Sequence, residues 1–163
     1  MNKSTARRVS NRILGMLARF APGAESVRPF LHKLRGVRIT GRVFIGDDVY
    51  LENEHPDCIE IHDGAQICVR SILIAHTRGP GRIVIEKDAF VGANSVLLAS
   101  PGATLTVGEG AVITASSVIS SDVPAHTLVG SEKSKPLARA TVALRMDTSY
   151  ERFLAGLRPL HRK

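Results

Sequence analysis

Residues 85–96 read Ile85-Glu-Lys-Asp-Ala-Phe-Val91-Gly-Ala-Asn-Ser-Val96, and residues 107–118 read Val107-Gly-Glu-Gly-Ala-Val-Ile113-Thr-Ala-Ser-Ser-Val118. An aliphatic residue returns at every sixth position. The same spacing extends in both directions along the chain. Upstream it gives Ile39, Ile45 and Leu51, then, after a four-residue slip, Ile61, Ile67 and Leu73. Ile85 and Val91 lead on to Leu97. A second four-residue slip precedes Val107, Ile113 and Ile119. Four places after most anchors stands a small or β-branched residue: Val43, Val49, Ala65, Ser71, Ala89, Ser95, Ala111, Ser117 or Val123. Gly46, Gly92 and Gly108 each follow an anchor directly.

Neither a helix, with period 3.6, nor a simple strand, with period 2, produces this pattern. A period of six fits a triangular β-solenoid. Each side is one short strand and a turn, the anchor points into the prism, and the small residue fits near a corner. Three hexads make a coil of roughly eighteen residues, and stacked coils bury a continuous apolar core. The anchors group in threes, which predicts about four coils over residues 37–130. A sandwich of alternating strands does not hold anchors in such a frame.

The 163 residues suit one domain with short extensions, and 44% apolar residues exclude a disordered chain. Aromatics are only 4%, with no Trp, which disfavours an immunoglobulin-like sandwich. No apolar run reaches the ~18 residues of a membrane span, and Ile13–Leu17 is too short for a signal-peptide core, so a cytoplasmic protein is expected. Cys58 and Cys68 make no disulfide framework. The net charge of +7 is unevenly spread: residues 1–42 carry +9, residues 43–130 carry −7 and residues 131–163 carry +5. The basic charge lies at the ends of an acidic body, and no nucleic-acid-binding motif accompanies it, so no nucleic-acid partner is expected.

The hexads starting at Ile85, Val91, Val107 and Ile113, with the closing Ile119-Ser-Ser-Asp-Val-Pro-Ala125, resemble the hexapeptide-repeat acyltransferases. The likeness covers about residues 37–130 and is nearest to the sugar and xenobiotic O-acetyltransferase branch. It implies an all-β fold, a left-handed parallel β-helix that is an exception to the right-handed crossover rule. It further implies a homotrimer and acetyl-CoA as acyl donor, with no metal.

Outside the solenoid, residues 1–36 read as a basic helical N-terminal cap and residues 131–163 as a C-terminal turn and helix. Residues 3–19 place Ile13, Leu14, Leu17 and Ala18 on one helical face, with Arg8, Arg12 and Arg19 around them. Pro22-Gly23 ends that helix, and a second runs from about Ser26 to Leu34. Two readings stay open: a cap over the end of the prism, or a helix lying on an anionic membrane surface near lipid-linked saccharides. At the other end Asp147 is expected to cap a helix carrying Tyr150, Phe153, Leu154 and Leu157 on one stripe.

Acyl transfer from a thioester to a hydroxyl needs a base for the proton and donors for the oxyanion. Histidine titrates near neutrality and suits the first task. His32, His62, His126 and His161 read as solvated surface residues. His76 precedes Thr77-Arg-Gly-Pro-Gly81, a loop that interrupts a solenoid side, and the resemblance puts the family's catalytic histidine at this position. His55, in His55-Pro-Asp57 within the first insertion, is the runner-up; neighbouring turn residues seldom orient one another. The resemblance also suggests Glu52 and Asn53 for the acceptor.

For the coenzyme, the resemblance points to Phe90, to backbone contacts at Ala93 and Ala115, and to Ser120 and Ser121. Lys133 and Lys135 are then the nearest cations for its phosphates. The implied reaction moves an acetyl group to a hydroxyl of a sugar, polysaccharide precursor or lipid-linked saccharide. Two alternatives stand beside it: N-acetylation of an amino sugar, and a non-catalytic solenoid serving assembly. Zinc carbonic anhydrases share the solenoid, but they need three histidines around the metal, and only His62 and His76 fall within the coils.

Overall fold

The computed structural model describes residues 5–132 and 135–160. The chain divides into two compact units, residues 1–131 and 132–163. The first opens with helix α1 (Thr5–Phe20) and helix α2 (Val27–Leu34). Four coils follow. Coil 1 holds β1 (Arg38–Ile39), β2 (Phe44–Ile45) and β3 (Tyr50–Leu51). Coil 2 holds β4 (Ile59–Ile61), β5 (Gln66–Ile67) and β6 (Ile72–Ile74). Coil 3 holds β7 (Arg82–Ile85), β8 (Phe90–Val91) and β9 (Val96–Leu98). Coil 4 holds β10 (Thr104–Val107), β11 (Val112–Ile113) and β12 (Val118–Ile119).

Corresponding strands pair in parallel to make three sheets: A (β1-β4-β7-β10), B (β2-β5-β8-β11) and C (β3-β6-β9-β12). A partial fifth coil continues the stack, with a parallel bridge from Val107 to Val123 and β13 (Leu128–Val129) beside β11. The inward ladders are the hexad anchors. Ile39 lies beside Ile61, Ile61 beside Ile85 and Ile85 beside Val107. All the anchors are buried except Ile119, which is half-buried in the last strand of sheet C. Burying an aliphatic side chain contributes about 1.5–3 kcal/mol, so these ladders are the dominant stabilising element.

The glycines after anchors have a direct physical cause. A Cβ on Gly46 would fall 2.6 Å from the Val69 amide nitrogen, and one on Gly92 or Gly108 would fall 2.5 Å from that of Ala115 or Ala125. Adjacent coils approach too closely there for any side chain. At the corner between sheets B and C, Asp48, Arg70, Asn94 and Ser116 take left-handed φ values of 55–59°. The amides of Arg70, Asn94 and Ser116 donate to the coil before: Asp47, Val69 and Ala93. Ser71 and Ser95, fully buried beside this corner, each donate a hydroxyl to a carbonyl of the next coil, Gly92 and Thr114, at 3.1 Å.

Several expectations need correction. A coil is longer than three hexads, because the extra residues form loops at one corner, between sheets C and A: residues 52–58, 75–81 and 99–103. Helix α1 splits the expected face, burying Ala18, together with Asn11 and Gly15, while leaving Ile13 and Leu17 outside. His32 is fully buried, not solvated.

In the second unit, β14 (Ala138–Ala140) and β15 (Leu157–Pro159) pair antiparallel around a short helix, α3 (Tyr150–Ala155). Its N-cap is Ser149, whose hydroxyl accepts from the Arg152 amide at 3.3 Å, so Asp147 does not cap it. Gly156 ends the helix and Leu157 turns into the ribbon, which removes Leu157 from the expected stripe.

Candidate active site

The sheet C–A corner is where the solenoid departs from its repeat, and there both candidate histidines meet. His76 directly follows β6 and Ala75. Its loop is closed by the Gly81 amide donating to the Ala75 carbonyl at 2.7 Å and by an antiparallel bridge between His76 and Pro80. The loop is also tied to the next insertion, through Gly102 N–H to the Pro80 carbonyl at 2.9 Å and the Thr77 hydroxyl to the Ala99 carbonyl at 3.4 Å. A loop held at both ends in this way fixes the direction of a side chain.

One coil earlier, His55 enters a 3₁₀ turn (Pro56–Cys58), whose Cys58 amide donates back to the His55 carbonyl at 3.0 Å. The His55 and His76 rings lie 4.7 Å apart between centroids, inclined by 45°. Both are half-buried. The ring contact of His55 is thus with His76 of the next insertion. The signal for this was present in the spacing. The interruptions between Leu51 and Ile61 and between Leu73 and Ile85 fall at the same point of the repeat, so their loops must stack.

Behind this pair stands a polar cluster that reaches α1. Glu54 accepts from Arg8 at 2.9 Å and from Arg12 at 3.5 Å. The hydrogen bond from Arg8, supported by both positive charges, holds its carboxyl below the ordinary range. Glu52 is buried, and its Oε1 accepts from the Glu54 amide at 2.9 Å. Asn53 Oδ1 accepts from Arg35 at 2.9 Å. The two residues suggested for the acceptor are thus engaged in holding the insertion.

Arg35 is fully buried and also donates to the carbonyls of Leu51, at 2.9 Å, and Glu52. Burial pulls its pKa down to about 10, which leaves it charged at neutral pH. Beside it His32 Nδ1 lies 3.4 Å from the guanidinium. Burial first, and then the Arg35 charge, lower His32 to about 3. Sequence reasoning did not find this buried pair.

Of the residues suggested for the coenzyme, Phe90, Ala93 and Ala115 lie elsewhere on the prism. Phe90 begins β8 and projects outward on sheet B, in register with Gln66 and Val112. Ala93 and Ala115 occupy successive turns at the B–C corner. Ser120 and Ser121 follow β12, on the corner that carries His76 but two coils further on, and both are exposed. Lys135 pairs with Glu132 at 3.0 Å within the second unit. Lys133 and His161 lie outside the described residues. Within one chain the structure joins His55, His76, Asn53 and Glu52 at one corner and leaves Ala93 and Ala115 at another.

Between those corners runs sheet C. Its outward row is Tyr50, Ile72, Val96 and Val118, in register across all four coils. Ile74 and Leu98 pair beside it. Among the described residues no three His, Cys, Asp or Glu side chains converge as a metal site would require.

No protein-family model matches the chain. A hexapeptide-repeat-containing acetyltransferase from Vibrio cholerae superposes with a TM-score of 0.60 over 77% of this chain and 86% of that one, at 23% identity. The fold is a left-handed parallel β-helix. Two curated relatives match by sequence, both named 2,3,4,5-tetrahydropyridine-2,6-dicarboxylate N-acetyltransferase. One, from Staphylococcus aureus strain bovine RF122 / ET3-1, is 32% identical over 101 residues; the other, from strain JH9, is 31% identical over the same length. Each match covers 62% of this chain and 38% of the relative, so the β-helix chain spans well under half the length of the relatives it matches.

Proposed function

We propose that this β-helix protein is an acetyltransferase that moves an acetyl group from acetyl-CoA to a saccharide hydroxyl, with His76 as general base. The observation that carries the reading is the loop-held, half-buried His76 against His55, at the edge of a fold shared with a hexapeptide-repeat acetyltransferase. His76 takes the acceptor's hydroxyl proton as the oxygen attacks the thioester carbonyl. The tetrahedral intermediate collapses with cleavage of the C–S bond, and the coenzyme leaves as a thiol that recovers the proton from the imidazolium. Backbone amides are the natural donors to the oxyanion, and Ala93 is the proposed source.

The acting species is proposed to be a homotrimer. Val118 in the outward row of sheet C is two-thirds exposed, and apolar rows of this kind suit self-association. That row separates the His76 corner from the Ala93–Ala115 corner. A neighbouring copy laid against it would bring the two halves together across a subunit boundary. Phe90, Ser120, Ser121, Lys133 and Lys135 complete the proposed coenzyme contacts. Acceptors of this kind are sugars, polysaccharide precursors or lipid-linked saccharides, and the setting is the cytoplasm, which supplies acetyl-CoA.

A second reading, N-acetylation of an amino sugar, is favoured by the names of the two relatives, which are N-acetyltransferases. Thermal denaturation with coenzyme A tests donor binding, since a ligand of the folded state raises its stability. A thioester-cleavage assay across saccharides with free hydroxyls and with free amines separates the two acceptors. Stabilisation without any cleavage would favour a binding scaffold over an enzyme.

A further inference from the structure

Helix α1 presents its apolar side away from the protein. The residues it buries, Asn11, Gly15 and Ala18, lie on the opposite side of the helix from Val9, Ile13, Met16 and Phe20. Met16 is 65% exposed and Phe20 72%. Helix α2 adds Val27, Phe30 and Leu34, all exposed and spaced at three and four residues. Between the two helices Met16, Leu17, Phe20, Ala21 and Leu31 line an open apolar groove of about 500 Å³. Gly15 explains why the helix sits this way round. A Cβ there would come 2.7 Å from Arg35 and 2.8 Å from Asn53, so the small side alone can approach coil 1.

We propose that this α1–α2 face docks in the plane of an anionic lipid bilayer. Arg8, Arg12 and Arg19 form a row along one edge of the apolar stripe. Arg8 and Arg12 share the single carboxylate of Glu54, and their side chains are 58% and 67% exposed, so that edge keeps a surplus of positive charge. Arg19 spends its charge on Asp48. Exposed Lys33 adds a cation on α2. An apolar stripe with a cationic edge is the composition that lies at a headgroup boundary. No described helix is long and apolar enough to cross a membrane, so the contact is in-plane.

A second copy is the poorer occupant. Two such faces paired with their helices antiparallel would oppose their cationic edges, and the apolar row of sheet C already offers a separate surface for self-association. The inference stands on the helices alone and does not depend on the acyl-transfer reading.

The test is flotation of the full chain with vesicles, without any turnover measurement. The protein should co-float with an equal mixture of phosphatidylcholine and phosphatidylglycerol and bind roughly tenfold or more weakly to phosphatidylcholine alone. Met16→Ser/Phe20→Ser and, independently, Ile13→Ser/Phe30→Ser should each lose binding by a similar factor while keeping the wild-type circular dichroism. Failure of the wild-type chain to co-float with the mixed vesicles would overturn the proposal. So would unchanged flotation of both double variants. If the variants instead lowered the oligomeric state in sedimentation, with no vesicle binding by the wild type, a second copy would be the occupant.

Discussion

At the scale of single residues, the proposed reaction makes His76 the base and His55 only its ring neighbour, so their effects should separate. His76→Ala should lower turnover by about 10²–10⁴ if it removes general-base assistance, with coenzyme A affinity little changed. His55→Ala should act more mildly, through the orientation of the His76 ring it touches. Steady-state rates read beside a binding titration check both, and near-normal turnover of His76→Ala would remove it from the mechanism. His32 yields a different prediction. Its folded-state pKa of about 3 lies below the ordinary 6.5, so the unfolded chain takes up a proton first as the pH falls. Stability should therefore decline from pH 6.5 downward, by roughly 2 kcal/mol at pH 5. Glu54, and Glu60 with its hydrogen bonds to His62 and Arg82, enter the pH dependence only in a lower range. Their depressed carboxyl pKa values give stability that is present above the usual carboxylate range and lost as pH falls through it. Urea denaturation at pH 7 and pH 5 measures the loss, and His32→Gln should flatten it.

Among the elements, the coils depend on close backbone approach. Gly92→Ala would set a methyl 2.5 Å from the Ala115 amide nitrogen and 2.7 Å from the Ile113 carbonyl oxygen, both backbone atoms of the next coil. It should cost about 1–3 kcal/mol, seen as a lower urea midpoint with an unchanged slope. This much was legible in the sequence, because a glycine repeating directly after an anchor has few other causes. The inward ladders were equally legible, since a side-chain frame of six survives every loop. The orientation of α1 was not. Its apolar residues imply a buried face, yet three-dimensional fit at Gly15 and the buried Arg35 decide which face approaches the coil. The His55–His76 contact was half legible: loop positions followed from the frame, but ring placement depends on the turn at Pro56 and the bridge at Pro80. The short α3 escaped because Gly156 and the ribbon at Leu157 cut off an apolar spacing that reads as a longer helix.

For the whole molecule, the inward ladders and the outward row of sheet C answer to different perturbations. Ile113 is fully buried, so Ile113→Asp should place an unpaired charge in the prism and abolish cooperative folding, by a cost above about 4 kcal/mol. Val118 is exposed in one chain, so Val118→Asp should leave each chain folded and shift sedimentation towards a monomer. A folded wild-type monomer at micromolar concentration would remove the trimer from the proposal. The three loops at the C–A corner act as an expansion joint. Residues added there widen or reshape the ground around His76 while the next strand re-enters the stack in frame, as Ile85 does opposite Ile61. One residue added at either of the other corners would turn the next anchor out of the core. The chain thus keeps one edge on which length is free and two on which it is fixed, and the histidines stand on the free one.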